Sequence, residues 1–227
     1  MPAPSLQSQV AQIGQTQPPL SPAASAAIGL AALLTVSVPF LWMLTRYVDT
    51  IAHEGTHAIT ASALGRPVQG VTLESNGDGG TNVIMRGTVG DVLLYFVGYL
   101  GPSTFGLGAA KLIELRHSVA VLWLALILLA ILLVIVRNPF GFVSVLVTGG
   151  LIYLIARYAT VTTETVAAYG VAWLLLLSGV RKVIYRGTGA ADAVNLRQIT
   201  YIGRGFWVLL WLAGSVAAVA VGGSWLV

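Results

Sequence analysis

The sequence predicts an all-α polytopic membrane protein of about six to seven transmembrane helices, with a small β-hairpin at the membrane surface. Three observations predict it. Hydrophobic residues make up 56% of the 227 residues and charged residues only 9%, with a mean hydropathy of +0.85, far from the balance of a soluble domain. Uncharged apolar runs, such as 118–136 and 138–156, reach the ~20 residues needed to cross hydrocarbon. The small net charge of +4 sits at the ends of those runs, which is a topology signal and not a nucleic-acid footprint. The chain has no cysteine, so disulfides and thiolate ligands are excluded and His, Asp and Glu remain as the metal-ligand types.

Residues 1–22 are rich in Pro, Gln and Ser and carry no charged side chain; they read as a flexible tail. They lack the basic start of a secretory signal. Residues 23–227 then form a single transmembrane domain. Leu20 to Thr45 is the first span, with Pro39 able to kink it. A straight helix from Ala23 to Leu64 would measure about 63 Å, twice the hydrocarbon thickness. A break is therefore expected, and Arg46 to Thr50 is the polar place for it, making 48–65 a second, less apolar span. Asp49 and Thr50 suit its N-terminus, and Gly65 with Pro67 its end.

Over 67–87 the texture changes. Val68–Leu73 and Thr81–Met85 favour strands, and ESNGDGG between them is a hairpin turn signal. Further spans are expected at Val92–Ala110, where glycines permit close packing, and at Ser118–Val136, Asn138–Ala156, Thr165–Val180 and Gly205–Val227, with a polar segment, Arg181–Arg204, before the last. If the second helix crosses, there are seven spans. Eight Lys and Arg then fall on the N-terminal side and four on the other, which puts the N-terminus in the cytoplasm. That layout also places the hairpin and 181–204 on one face.

The second helix carries His53, Glu54 and His57, in HEGTH. Positions i and i+4 lie about 40° apart on a helix, so both imidazoles can meet one ion. Glu54, about 100° round from His53, can reach a water at that ion without ligating it. This is the HExxH arrangement of zinc hydrolases. A catalytic zinc ordinarily takes a third protein ligand. The candidates are His117, Asp49, Glu74, Asp78, Asp91, Glu114, Glu164 and Asp192. Asp192 lies on the hairpin side among small residues that allow close approach, and capping a helix over Ala193–Ile199 is its other reading. His117 belongs to a loop on the opposite face.

HEGTH on an apolar helix, a Gly-rich hairpin before GYLGPS, Asn-Pro-Phe-Gly at 138–141 and a late Asp-Ala-Val-Asn-Leu together resemble the site-2-protease-like intramembrane zinc metallopeptidases. The similarity is to the compact bacterial branch built almost wholly from membrane spans, and it runs from about residue 45 to 200. No PDZ insertion is visible. The resemblance implies a third ligand from an aspartate on a later segment, commonly in Leu-Asp-Gly; Asp192 matches it by position but stands in Ala-Asp-Ala. It implies one Zn²⁺ held by His53, His57 and Asp192, Glu54 as general base on a water at the metal, and a substrate peptide held as a strand beside the hairpin. The partners implied are a membrane-protein substrate segment and the lipid bilayer, in a bacterial plasma membrane, with no nucleic acid. Asn138 is a candidate oxyanion donor, or a helix cap before Pro139. The competing reading is a non-catalytic metal-binding scaffold or an ion transporter, although the polar residues gather in one helix and one late segment and no internal repeat is present.

Overall fold

A computed structural model describes residues 11–227. Of the tail expected over 1–22, residues 1–10 lie outside the described residues. By Gln17 the chain is tied to the body: Gln17 is buried, its N–H donates to the Arg116 carbonyl at 2.7 Å, and its side-chain oxygen accepts from the Val119 N–H at 3.1 Å. Helix α1 (Pro22–Ser37) starts there and runs to the far end of the bundle, where the Val36 carbonyl accepts from Arg181 Nε at 3.0 Å.

The chain then turns by 100° into α2 (Pro39–Ala63). The break falls at Val38, not over Arg46–Thr50 as the polar residues suggested. Pro39 has no N–H and its ring drives the preceding residue out of the helical region; Val38 sits at φ −78°, ψ 119°. Arg46–Thr50 stays helical because its side chains reach the hairpin turn. Arg46 Nη2 and Tyr47 Oη donate to the Ser75 carbonyl at 2.6 and 2.9 Å, and Thr50 Oγ1 to the Gly77 carbonyl at 2.8 Å.

Helix α2 begins level with Arg181 and ends at Arg66, whose guanidinium pairs with the buried Asp91 carboxylate. It enters and leaves at the same end of the bundle and does not cross. The seven-crossing layout is corrected accordingly: among the described residues five segments are long and apolar enough to span, and the bent α1–α2 pair, taken as one span, makes six. The N-terminal end of the described chain therefore lies opposite the hairpin, not on its side.

Strands β1 (Val68–Leu73) and β2 (Gly79–Val83) pair antiparallel with an irregularity between Val68 and Gly70. The second strand begins two residues before the expected Thr81, because the turn closes tightly: Glu74 N–H meets the Asp78 carbonyl at 2.8 Å and Gly77 takes φ +85°, a left-handed value that favours glycine. It stops at Val83, and the chain then turns through the Asp91 carboxylate, which accepts from the Arg86 and Gly87 N–H groups.

One span is built of α3 (Val89–Val97), a 3₁₀ turn (Gly98–Leu100) and α4 (Gly101–Glu114). Helices α5 (Ser118–Ile135), α6 (Pro139–Tyr158), α7 (Val161–Arg186), α8 (Ala191–Thr200) and α9 (Arg204–Leu226) complete the chain. Helix α4 packs close on α7: a Cβ at Gly106 would stand 2.8 Å from Leu176 N, and one at Gly179 would stand 2.2 Å from Ser103 Oγ, the small-residue contact typical of membrane bundles. Ala110, Leu122, Ala168, Ala172 and Leu176 fill the bundle interior. Helix α6 exposes Val143, Val147, Leu151 and Leu154 at helical spacing, a face for lipid.

The hairpin is anchored on one edge only. β1 forms a parallel bridge to Val136, and Asn138 brackets Leu73, accepting from its N–H at 3.1 Å and donating to its carbonyl at 2.6 Å. The outer edge of β2 is left facing a cavity.

Candidate metal centre

Helical spacing on α2 sets His53 and His57 side by side, with Nε2 atoms 3.1 Å apart. From 135 residues further on, the first turn of α8 brings Asp192 to them: Asp192 Oδ2 is 3.4 Å from His53 Nε2 and 3.3 Å from His57 Nε2. Helix α8 can come this close because Ala190 and Ala193 are small and fully buried against Trp207, Trp211 and Leu196. Asp192 is the second residue of α8, whose N-cap is Ala190, so it does not cap the helix. Of the candidate acids and histidines, these three alone converge among the described residues.

Supporting contacts fix both rings. His57 Nδ1 is 2.9 Å from the Leu94 carbonyl, so Nδ1 carries the proton and Nε2 presents its lone pair. The His53 ring meets Tyr99 edge-on at 4.8 Å, and Tyr99 is stacked at 4.5 Å on Trp211. Trp211 is held in turn by an N–H bond to the Phe96 carbonyl at 2.7 Å. Gly98 leaves the room: a Cβ there would stand 2.3 Å from His57 Nε2.

The donor set fits a cation. Asp192 Oδ2 is buried without a hydrogen-bond partner, and the two ring nitrogens nearest it lie within 3.4 Å. Ligands about 2.0–2.1 Å from a tetrahedral zinc lie about 3.3 Å apart, which the observed 3.1–3.4 Å edges match. Burial opposes a charge on Asp192, but the His53 and His57 rings beside it outweigh that and hold its carboxyl well below the usual carboxylate range.

Glu54 is buried next to this triad, its Oε1 3.9 Å from His53 Nε2. Its Oε2 accepts from Thr81 Oγ1 of β2 at 2.8 Å, and Gly79 gives it space, since a Cβ there would stand 2.7 Å from Oε1. Glu54 does not belong to the converging set. All four side chains open on one cavity of about 420 Å³, whose other wall is the free edge of β2 with Leu94 and Tyr95.

The remaining acids are engaged elsewhere: Asp49 with Lys182, Asp78 with Arg186, Asp91 with Arg66 and Glu114 with Lys111. Glu74 closes the hairpin turn through its backbone. His117 heads α5 and Glu164 opens α7, both at the opposite end of the bundle. Asn138 stands away from the cavity lining, its amide spent on Leu73, and it makes no side-chain cap to α6. Nothing in the sequence pairs Asp49 with Lys182, or marks Thr81, Tyr99 and Gly98 as neighbours of the site: Lys182 reads as one of the charges that end a span, and Asp49 as a helix start or a candidate ligand.

A protein-family model described as Peptidase M50B-like matches residues 26–222. No curated protein and no solved structure matches the chain.

Proposed function

The chain belongs to the M50B-like peptidases, the site-2-protease family of membrane metallopeptidases, and from that premise we propose that it is a zinc-dependent endopeptidase cutting a peptide bond in or near the transmembrane segment of a membrane protein. The observation that carries this reading is the opening of His53, His57, Asp192 and Glu54 on the same cavity as an unpaired strand edge. His53, His57 and Asp192 hold the metal. Bound there, zinc polarises the scissile carbonyl and makes water a stronger acid.

The chain's own residues do the rest. A helical peptide hides its amides, so a substrate must be extended before it is cut. The outer edge of β2 supplies backbone partners for an added strand, and Gly79 and Gly80 keep that edge free of side chains. Glu54, fixed by Thr81, takes a proton from the attacking water and hands it to the leaving amine.

In membranes, nine of the twelve Lys and Arg lie at the metal end, against Lys111, Arg116 and Arg157 at the other. By the positive-inside bias this end faces the cytoplasm, in a bacterial plasma membrane, and the first described residues face out. The cysteine-free chain makes a clean test. A membrane-impermeant maleimide on intact cells should label Ala159→Cys and leave Ser75→Cys untouched until lysis; the reverse pattern overturns the orientation.

The activity is tested by incubating detergent-purified, zinc-loaded protein with fluorescein-labelled casein and with a panel of labelled transmembrane peptides. Cleavage should stop with 1,10-phenanthroline and return with zinc but not magnesium. Zinc-loaded protein that cuts none of these would favour the metal-binding scaffold instead.

A further inference from the structure

The cavity wall holds one charge that the reading above leaves idle. Lys182, near the end of α7, is 8% exposed and lines the cavity beside His53, Glu54 and Asp192. Buried lysines are rare unless paired. Its partner, Asp49 on α2, is 3.1 Å away and 1% exposed, and it lies behind Lys182, away from the cavity lining. The Lys182 ammonium also stands 5.8 Å from the centre of the Tyr99 ring, the same ring that braces His53. A well-packed apolar pair would join α2 to α7 at least as stably as a buried ion pair. What an apolar pair could not provide is a positive charge held at the cavity surface.

Hydrolysis gains from such a charge beside the metal. When water adds to the scissile carbonyl, the C=O π pair moves onto oxygen, and the new anion sits in a low-dielectric cleft where a fixed cation acts strongly. Asn138, the amide donor the sequence suggested, is committed to Leu73. Arg186, the other cation in the wall, is paired to Asp78 of the hairpin turn and is more open to solvent. Lys182 is the buried one.

Resting on the peptidase reading above, we propose that Lys182 faces and stabilises the oxyanion formed at the scissile carbonyl, with Asp49 as the residue that positions it. The balance is simple. The water's O–H bond breaks and its proton passes to Glu54 as the C–O bond forms. The oxyanion then collapses, the C–N bond breaks, and Glu54 returns the proton to the amine nitrogen. Lys182 keeps its own protons throughout.

The test is binding by calorimetry to the zinc-loaded full chain in detergent. Two probes are compared: a phosphinic peptide isostere, whose tetrahedral anion copies the oxyanion, and the matching ketomethylene peptide, which is neutral and planar. Asp49→Asn/Lys182→Gln removes both charges and leaves two amides able to pair, and Lys182→Met removes the ammonium alone. Zinc content identifies the variants that have folded. Either variant should hold one zinc and bind ketomethylene as wild type, while phosphinate affinity falls by about 10²-fold, the loss seen when an oxyanion donor is removed. Lys182→Arg should recover most of it. A zinc-holding variant that binds phosphinate as tightly as wild type overturns the role of Lys182 and leaves the peptidase reading intact. If zinc-loaded wild type shows no preference for phosphinate, the peptidase reading itself fails.

Discussion

Glu54→Gln is expected to lower the cleavage rate by about 10²–10⁴-fold or more, while zinc content and thermal stability stay at wild-type values. The substitution keeps the shape of the side chain, and its amide oxygen can still accept the bond from Thr81 Oγ1 that holds Glu54 Oε2 at 2.8 Å. What it removes is the ability to take and return a proton. Glu54 lies beside the metal-ligand triad without joining it, so the ion should not notice the change. Cleavage of labelled casein and metal content by mass spectrometry, measured on one preparation, separate the outcomes. Cleavage at the wild-type rate would remove Glu54 from the chemistry. Loss of zinc would make it a ligand and force a different base.

The histidine pair and Glu54 were legible because helical periodicity is local: His53 and His57, at i and i+4, declare a shared face, and Glu54 is the next residue round the same turn. Asp192 was legible in a weaker sense. Its neighbours Ala190, Ala191 and Ala193 announce a backbone that can approach another element closely, but nothing in the residues themselves says which element. The contact with His57 spans 135 positions and depends on how α7, α8 and Trp211 stack.

The misplaced break shows the same limit. Arg46–Thr50 reads as a polar gap because the partners that satisfy it, the Ser75 and Gly77 carbonyls, lie on another element. Pro39 on its own predicts a kink, yet its steric demand on Val38 is enough to end the helix. Moving the break by eight residues changed the topology: α2, 25 residues long, leaves α1 at 100° instead of running back alongside it, so both of its ends lie at the hairpin end of the bundle. Asp49 falls in the polar stretch Arg46–Thr50 and Lys182 in the polar segment after Arg181, and nothing local to either says that they pair.

Removing a ligand carries the other large effect. His57→Ala and Asp192→Ala are each expected to purify without zinc and without activity, because the three donors are spaced for one ion and two ligands leave a site open to solvent and exchange. Gly98→Ala, which touches no ligand bond directly, should weaken zinc affinity by about 10–100-fold, the range found when the orientation of ligands is disturbed. Its Cβ would stand 2.3 Å from His57 Nε2 and 2.8 Å from His53 Cε1, so the rings must turn away. Metal content after dialysis against graded zinc buffers reads all three. If Asp192→Ala keeps its zinc, a different third ligand must be found, and among the described residues the search is narrow: Asp49, Asp78, Asp91 and Glu114 are each paired with a cation, Glu74 is exposed and outside the cavity lining, and His117 and Glu164 are at the wrong end of the bundle. Only Glu54 would remain within reach, and the loss of its proton-accepting role would then be visible in the Glu54→Gln metal content.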